Sequence, residues 1–210
     1  MLSQIQSHLQ AIHRINAPDI APFLLNAEAL TELLGPGSRT VDEWVLVREA
    51  DDGLDLGVYI SAERLSELSS VATPGEAVER CFGAFCAATE GVSHFLMLIE
   101  RARRREPVRL LELELQAEVD KFVSAWLHHR GDWRQLGRRL FRDAVLREGL
   151  SEPERWRYRE AGRLAEGLCR WLVDQGDVAA VLREVRRLWR LPGSLRLSEA
   201  RQRVAEGLTF

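Results

Sequence analysis

Glu90 and His94 are the residues whose types and spacing first suggest chemistry in this sequence. They lie in the stretch Thr89-Glu-Gly-Val-Ser-His-Phe-Leu96, inside a segment whose apolar spacing predicts a long helix. At i and i+4 their side chains share one helical face. A second group follows on the next predicted helix, where Glu114, Glu118 and Lys121 form a polar ridge beside an apolar stripe. A short turn at Glu106-Pro107 makes these two helices antiparallel, which brings the region of His94 opposite that of Glu118 to Lys121. Glu90, His94, Glu118 and Lys121 are therefore the candidate ligand-binding residues.

Three chemistries compete for them. A buried carboxylate is costly unless paired, so the first is a structural network that joins Glu118 to Lys121 and His94 to a carboxylate. The second is a metal site made of Glu90, His94 and Glu118, whose donor atoms suit a divalent ion. Against it, di-iron carboxylate bundles use Glu and Glu-x-x-His ligands from four helices. Here the spacing is Glu-x-x-x-His, two helices offer ligands, and a lysine intrudes. The third is a pocket for a small cationic or polar ligand, in which Lys121 can pair an anionic group.

Other residues carry weaker signals. His128 and His129 point about 100° apart on a helix and suit its negative C-terminal end better than a shared metal. His8 and His13 lie on the first helix and are expected to have no acidic neighbours. The cluster Arg101-Ala-Arg-Arg-Arg105 is favoured at a helix C-terminus by the dipole alone. Arg155-Trp-Arg-Tyr-Arg159 interleaves rings with cations and could stack on bases if exposed; wound on a helix it spreads over more than a turn, and Trp156 then packs inward. Cys81, Cys86 and Cys169 have neither disulfide nor metal-knuckle spacing and read as small buried hydrophobes. There is no GxSxG, no phosphate-binding glycine loop and no HExxH, and no cofactor is expected.

The elements that must position these residues are mostly helical. Leu2, Ile5, Leu9 and Ile12 space as a helix, which Pro18 and Pro22 end. A short helix over Ala27 to Leu34 stops at Gly35-Pro36-Gly37. The one clear β signal is Glu43 to Ile60, a hairpin turning at Asp52-Gly53. Two strands alone are marginal, so the hairpin must pack on helices or gain strands from "APFLLN" or another subunit. Thr73-Pro-Gly-Glu76 has the order of a helix N-cap and opens a helix running to about Arg105. That helix has two non-polar faces: Val78, Phe82, Phe85, Val92, Leu96 and Ile99 on one, and Gly83, Ala87 and Gly91 on the other. Glycine costs about 1 kcal/mol against alanine inside a helix, so the small-residue face implies close approach by another element. A second helix runs from about Val108 to His129. Asp132 opens another, with Trp133, Leu136, Leu140, Phe141 and Val145 on one side. Ser151-Glu-Pro-Glu154 is a capping box for the next. A stripe from Val178 to Trp189 is broken by Pro192-Gly193, and a last short helix follows Ser198.

The expected fold is mainly α with one β-hairpin, an α+β helical bundle built on the long antiparallel helix pair. It is a single domain, 1–210: residues 1–72 hold the first helix, an irregular segment and the hairpin, 73–129 the central pair, and 130–210 the Arg-rich C-terminal helices. The nearest thing to a boundary is Arg130-Gly131-Asp132. The 46% hydrophobic and 29% charged fractions belong to a globular chain. No apolar run approaches the ~20 residues that span a bilayer, and no secretory signal opens the chain, so a cytoplasmic protein without membrane contact is expected.

The net charge of −3 hides an asymmetry: from Arg130 onward there are 18 arginines against 12 carboxylates. Lys121 is the chain's one lysine, and an arginine bias of that kind follows most simply from GC-rich codons. The pI near 6.0 argues against nucleic acid. Six tryptophans, several near helix ends (Trp133, Trp156, Trp171, Trp189), together with the arginines match interaction hot spots. The expected function is therefore a non-catalytic regulatory or adaptor module that binds another protein, a second copy of the chain included. A metal- or ligand-binding protein, or an enzyme using the Glu/His pocket, is the first alternative. Nucleic-acid binding through the Arg-rich half is the second.

Overall fold

The structure is a computed structural model that describes residues 1–35, 41–50, 53–129, 132–143, 146 and 148–207. It is mostly helical with a small mixed sheet, as the composition and periodicity predict. The chain divides into two compact units. One comprises Met1–Leu9 with Asn16–Glu106, the other Gln10–Ile15 with Pro107–Phe210. The division falls at Glu106-Pro107; the charge change at Arg130 lies within the second unit.

In the first unit, helix α1 (Leu2–His13) contributes its opening turns. A 3-10 turn at Ala21–Phe23 leads into β1 (Leu24–Leu25) and α2 (Ala27–Leu34), which Asn26 caps by accepting from the Ala29 N–H. β2 (Glu43–Ala50) and β3 (Gly53–Ile60) pair antiparallel from Glu43↔Ile60 to Ala50↔Gly53. Asp52, expected in the turn, lies outside the described residues, as do Pro36 and Gly37. A third strand does come from the "APFLLN" region: β1 pairs parallel to β3, with Leu24 opposite Val58 and Leu25 opposite Tyr59. The sheet order is β1-β3-β2.

Helix α3 (Ala62–Ser69) follows, capped by Ser61. The helix expected from Thr73 to Arg105 is two helices, α4 (Pro74–Arg80) and α5 (Phe82–Arg104). The cap is as read: Thr73 Oγ1 accepts from the Glu76 N–H and Glu76 Oε2 from the Ala72 N–H. The interruption is at Cys81, whose φ of −139° and ψ of 56° leave the helical region. Its N–H still bonds the Ala77 carbonyl and its carbonyl accepts from Phe85, so the break costs little hydrogen bonding. α5 packs on α3, α4, β2 and β3. Phe85, Val92, Phe95 and Leu96 are fully buried, and Phe95 meets Phe23 with ring centroids 5.0 Å apart.

α5 is also long and apolar enough to cross a membrane by length and composition, which amends the reading that no apolar run comes near that length. Of its most apolar 18-residue window 72% is buried, the pattern of a core helix.

The second unit holds the last turn of α1, then α6 (Leu110–His129) and α7 (Trp133–Gly137). Asp132 caps α7 by accepting from the Arg134 N–H. The helix expected to reach Val145 instead passes into a π-helical turn at Arg138–Arg142, and Val145 lies outside the described residues. α8 (Glu152–Val173) opens on the predicted box, with Glu154 Oε2 accepting from the Ser151 N–H. α9 (Val178–Arg190) is capped by Asp177.

The final helix, α10 (Gly193–Gly207), starts five residues before the expected Ser198. Proline restricts the residue before it to extended backbone, and Leu191 has ψ 144°. The Pro192 carbonyl then accepts from Leu195 and Arg196 and starts the new helix. α8 packs on α6, α9 and α10, and Ala161, Leu164, Ala165, Leu168 and Leu172, the stripe read from the sequence, are buried.

Candidate functional site

Glu90 and His94 belong to the first unit, on α5. Glu118 and Lys121 belong to the second, on α6. His94 is 7% exposed, and its Nδ1 lies 3.3 Å from Oε1 of Glu43, the buried first residue of β2. Gly91 makes room for that contact. A Cβ there would lie 3.2 Å from Glu43 Cγ and 2.9 Å from Ile60 Cδ1. The close approach to the small-residue face is therefore made by sheet side chains. Ala87 on that face is buried, and Gly83 faces the Arg64 guanidinium. Glu90 is half-buried one turn before His94.

On α6, Lys121 Nζ donates to Glu118 Oε1 at 2.8 Å, and Glu114 accepts from Arg157 Nε of α8 at 3.2 Å. The ridge is thus a row of ion pairs. Glu43 was not among the residues singled out in the sequence. Its place at the head of a strand, 51 positions from His94, left no local signal.

The reading of His13 needs correction. It has an acidic partner, Asp120 of α6, with Nε2 and Oδ1 2.8 Å apart and both side chains fully buried. A carboxylate can only accept, so Nε2 carries the proton. Asp120 Oδ1 also accepts from Gln116 Nε2 at 2.9 Å, and Gln116 Oε1 accepts from Arg196 Nη1 at 3.1 Å. Arg196 is 2% exposed and donates to the carbonyls of Leu188 and Trp189 at the end of α9. Its charge meets the negative end of that helix. The Trp189 ring stacks on His13 with centroids 4.0 Å apart. Trp189 is therefore core, not surface.

Two arginines of the basic cluster at the end of α5 meet neighbouring carboxylates, and Arg103 donates to the Asn16 carbonyl. Arg101 is buried and pairs with Glu106, Arg104 pairs with Glu100, and Arg105 closes the helix in a left-handed conformation. In Arg155-Trp-Arg-Tyr-Arg159, Arg155 donates to the Leu150 carbonyl. Trp156 does not pack inward: it is 58% exposed. Cys169 is buried, and burial with nearby carboxylates pushes its thiol well above the usual value; Cys81 and Cys86 are half-buried. Burial pulls His128 below the ordinary histidine value. The His129 side chain lies outside the described residues.

The π-helical turn borders a cleft of about 520 Å³ in the second unit. Trp133 and Phe141 supply rings, and the buried Phe122 and Cys169 also line it. Arg134 lies over the Trp133 ring at 4.6 Å. Arg142 is held by Glu166 at 2.8 Å. Among the described residues Arg134 and Arg138 have no carboxylate partner, and π-helical turns recur where a backbone is adapted to bind something. No known protein family, curated protein or solved structure matches the chain.

Proposed function

We propose that the chain is a cytoplasmic, non-catalytic helical binding module, an adaptor that takes an acidic segment of a partner protein in the cleft beside the π-helical turn. The observation that carries this reading is the pair Arg134 and Arg138, two exposed arginines that make no ion pair among the described residues, at a cleft lined also by Trp133, Phe141, Asp132 and Glu166. Arginine and aromatic side chains around a concave, partly desolvated surface are the usual make-up of interaction hot spots. The exposed Trp156, further along the same unit, adds contact surface of the same kind. Of the residues first considered for ligand binding, His94 meets Glu43 and Lys121 meets Glu118.

The test uses a fluorescein-labelled synthetic peptide of alternating glutamate and leucine, titrated into the purified full chain and read by anisotropy. Binding that weakens with added salt, and by about tenfold or more in the Arg138→Glu chain, is expected. Equal affinity in the two chains, or no binding to the wild type at low salt, overturns the assignment.

A further inference from the structure

A second arginine surface lies in the same unit and has a different make-up. Arg183, Arg186 and Arg190 stand at i, i+3 and i+7 on α9, along about 10 Å of one helix face. Arg14, just past the end of α1, joins them. The four guanidiniums and the apolar side chains of Ala179 and Leu182 line a cleft of about 540 Å³. Arg186 is fixed in place: its Nε donates to the Ile12 carbonyl at 2.8 Å and its Nη2 to the Ala11 carbonyl at 3.3 Å. Arg14 holds a left-handed backbone with φ 54°, a conformation that costs a non-glycine residue about 1 kcal/mol or more.

Among the described residues Arg14, Arg183, Arg186 and Arg190 make no ion pair, and the nearby Glu184 is committed to Arg187, which also takes Glu199. Burial, together with repulsion from Arg14 and Arg190, pulls Arg186 below the usual arginine value. Several other arginines of the unit meet carboxylates, as in Arg157–Glu114 and Arg163–Glu160. An anion bound along the row would offset that repulsion.

We propose that this row of arginines is a binding site for linked phosphates, an anion with two or more phosphate groups in one chain. A single carboxylate would neutralise one guanidinium and leave the rest. Linked phosphates present oxygens along the row, and the planar guanidinium fork matches each group. A free polyphosphate and a single-stranded nucleic-acid backbone both supply this chemistry.

The experiment measures binding of inorganic tripolyphosphate, a single-stranded oligonucleotide and inorganic monophosphate to the full chain by calorimetry, at two salt concentrations. Tripolyphosphate or the oligonucleotide binds the wild type, more weakly at high salt. The Arg183→Glu, Arg190→Glu double variant binds at least about tenfold more weakly, while the charge-matched Arg80→Glu, Arg109→Glu double variant, with both changes outside the row, binds as the wild type does. The arm that binds identifies the source: tripolyphosphate alone points to a small polyphosphate, the oligonucleotide alone to nucleic acid.

Because the row repels itself, Arg190→Gln melts at or above the wild-type temperature without ligand and still loses affinity, which separates a binding role from a structural one. Monophosphate binding as tight as tripolyphosphate, equal binding by the double variant, or no binding by any arm overturns the proposal. So does an Arg190→Gln chain that is destabilised and binds normally.

Discussion

His13 Nε2 lies 2.8 Å from Asp120 Oδ1 across 107 positions of sequence, with neither side chain open to solvent. The pair is one end of a chain of bonds through Gln116 to Arg196, which ties the last turn of α1 and helix α6 to the junction of α9 and α10. Removing one partner of a buried hydrogen bond leaves the other desolvated and unsatisfied, at about 1–3 kcal/mol. Asp120→Ala, which strips both His13 and Gln116 of their acceptor, is therefore expected to lower unfolding stability by about 2–3 kcal/mol in a urea titration. Arg48→Ala, which breaks the exposed Arg48–Asp55 pair, is the reference and should cost under about 1 kcal/mol. A loss at Asp120 no larger than that would mean the network does not hold the unit together.

Two glycines of α8 should respond oppositely to the same substitution. A Cβ at Gly167 would lie 2.5 Å from Val204 Cγ2 and 3.2 Å from the Val204 Cα, so α10 backbone stands in its way. Overpacking of that kind costs about 1–3 kcal/mol, more than the roughly 1 kcal/mol that alanine gains over glycine in a helix. At Gly162 nothing lies within 4 Å of the added methyl. Gly167→Ala should lower the thermal midpoint and Gly162→Ala should raise it. The reverse order would contradict the close crossing of α8 and α10.

Acid should act through Glu199. Side-chain hydrogen bonds from Arg187 hold the Glu199 carboxyl below its ordinary value of 4.5. A carboxyl depressed in the folded state contributes stability that is fully present above the unfolded value and is lost as pH falls through the folded one. The contribution of this pair is therefore intact above pH 4.5 and disappears below it. Urea midpoints of the wild type and Glu199→Gln should differ at neutral pH and converge as pH drops below 4.5. A difference that persists unchanged in acid would show that the glutamate contributes by packing instead of charge. The pair is partly exposed, so solvent screening keeps the effect modest.

Much of the local structure was legible in the residues. The hairpin of β2 and β3, the caps at Thr73 and Ser151, and the Ala161 to Leu172 stripe are set by interactions within a few positions, where spacing and side-chain type decide the outcome. The polar ridge on α6 was legible for the same reason, since Glu118 and Lys121 are a turn apart.

What the sequence by itself determined is therefore the kind and order of most elements and the arginine excess of the C-terminal half. Tertiary structure decided which distant groups meet. It gave β1 its parallel place beside β3, broke the helix at Cys81, and moved the start of α10 forward. It supplied Glu43 to His94 and Asp120 to His13. It also decided which arginines meet carboxylates and which, along α9, make no ion pair among the described residues. A caps-and-periodicity reading registers energies that act over one or two helical turns. A buried charge pair, or an unrelieved cluster of charge, depends on segments a hundred residues apart being brought together by the packing of everything between them.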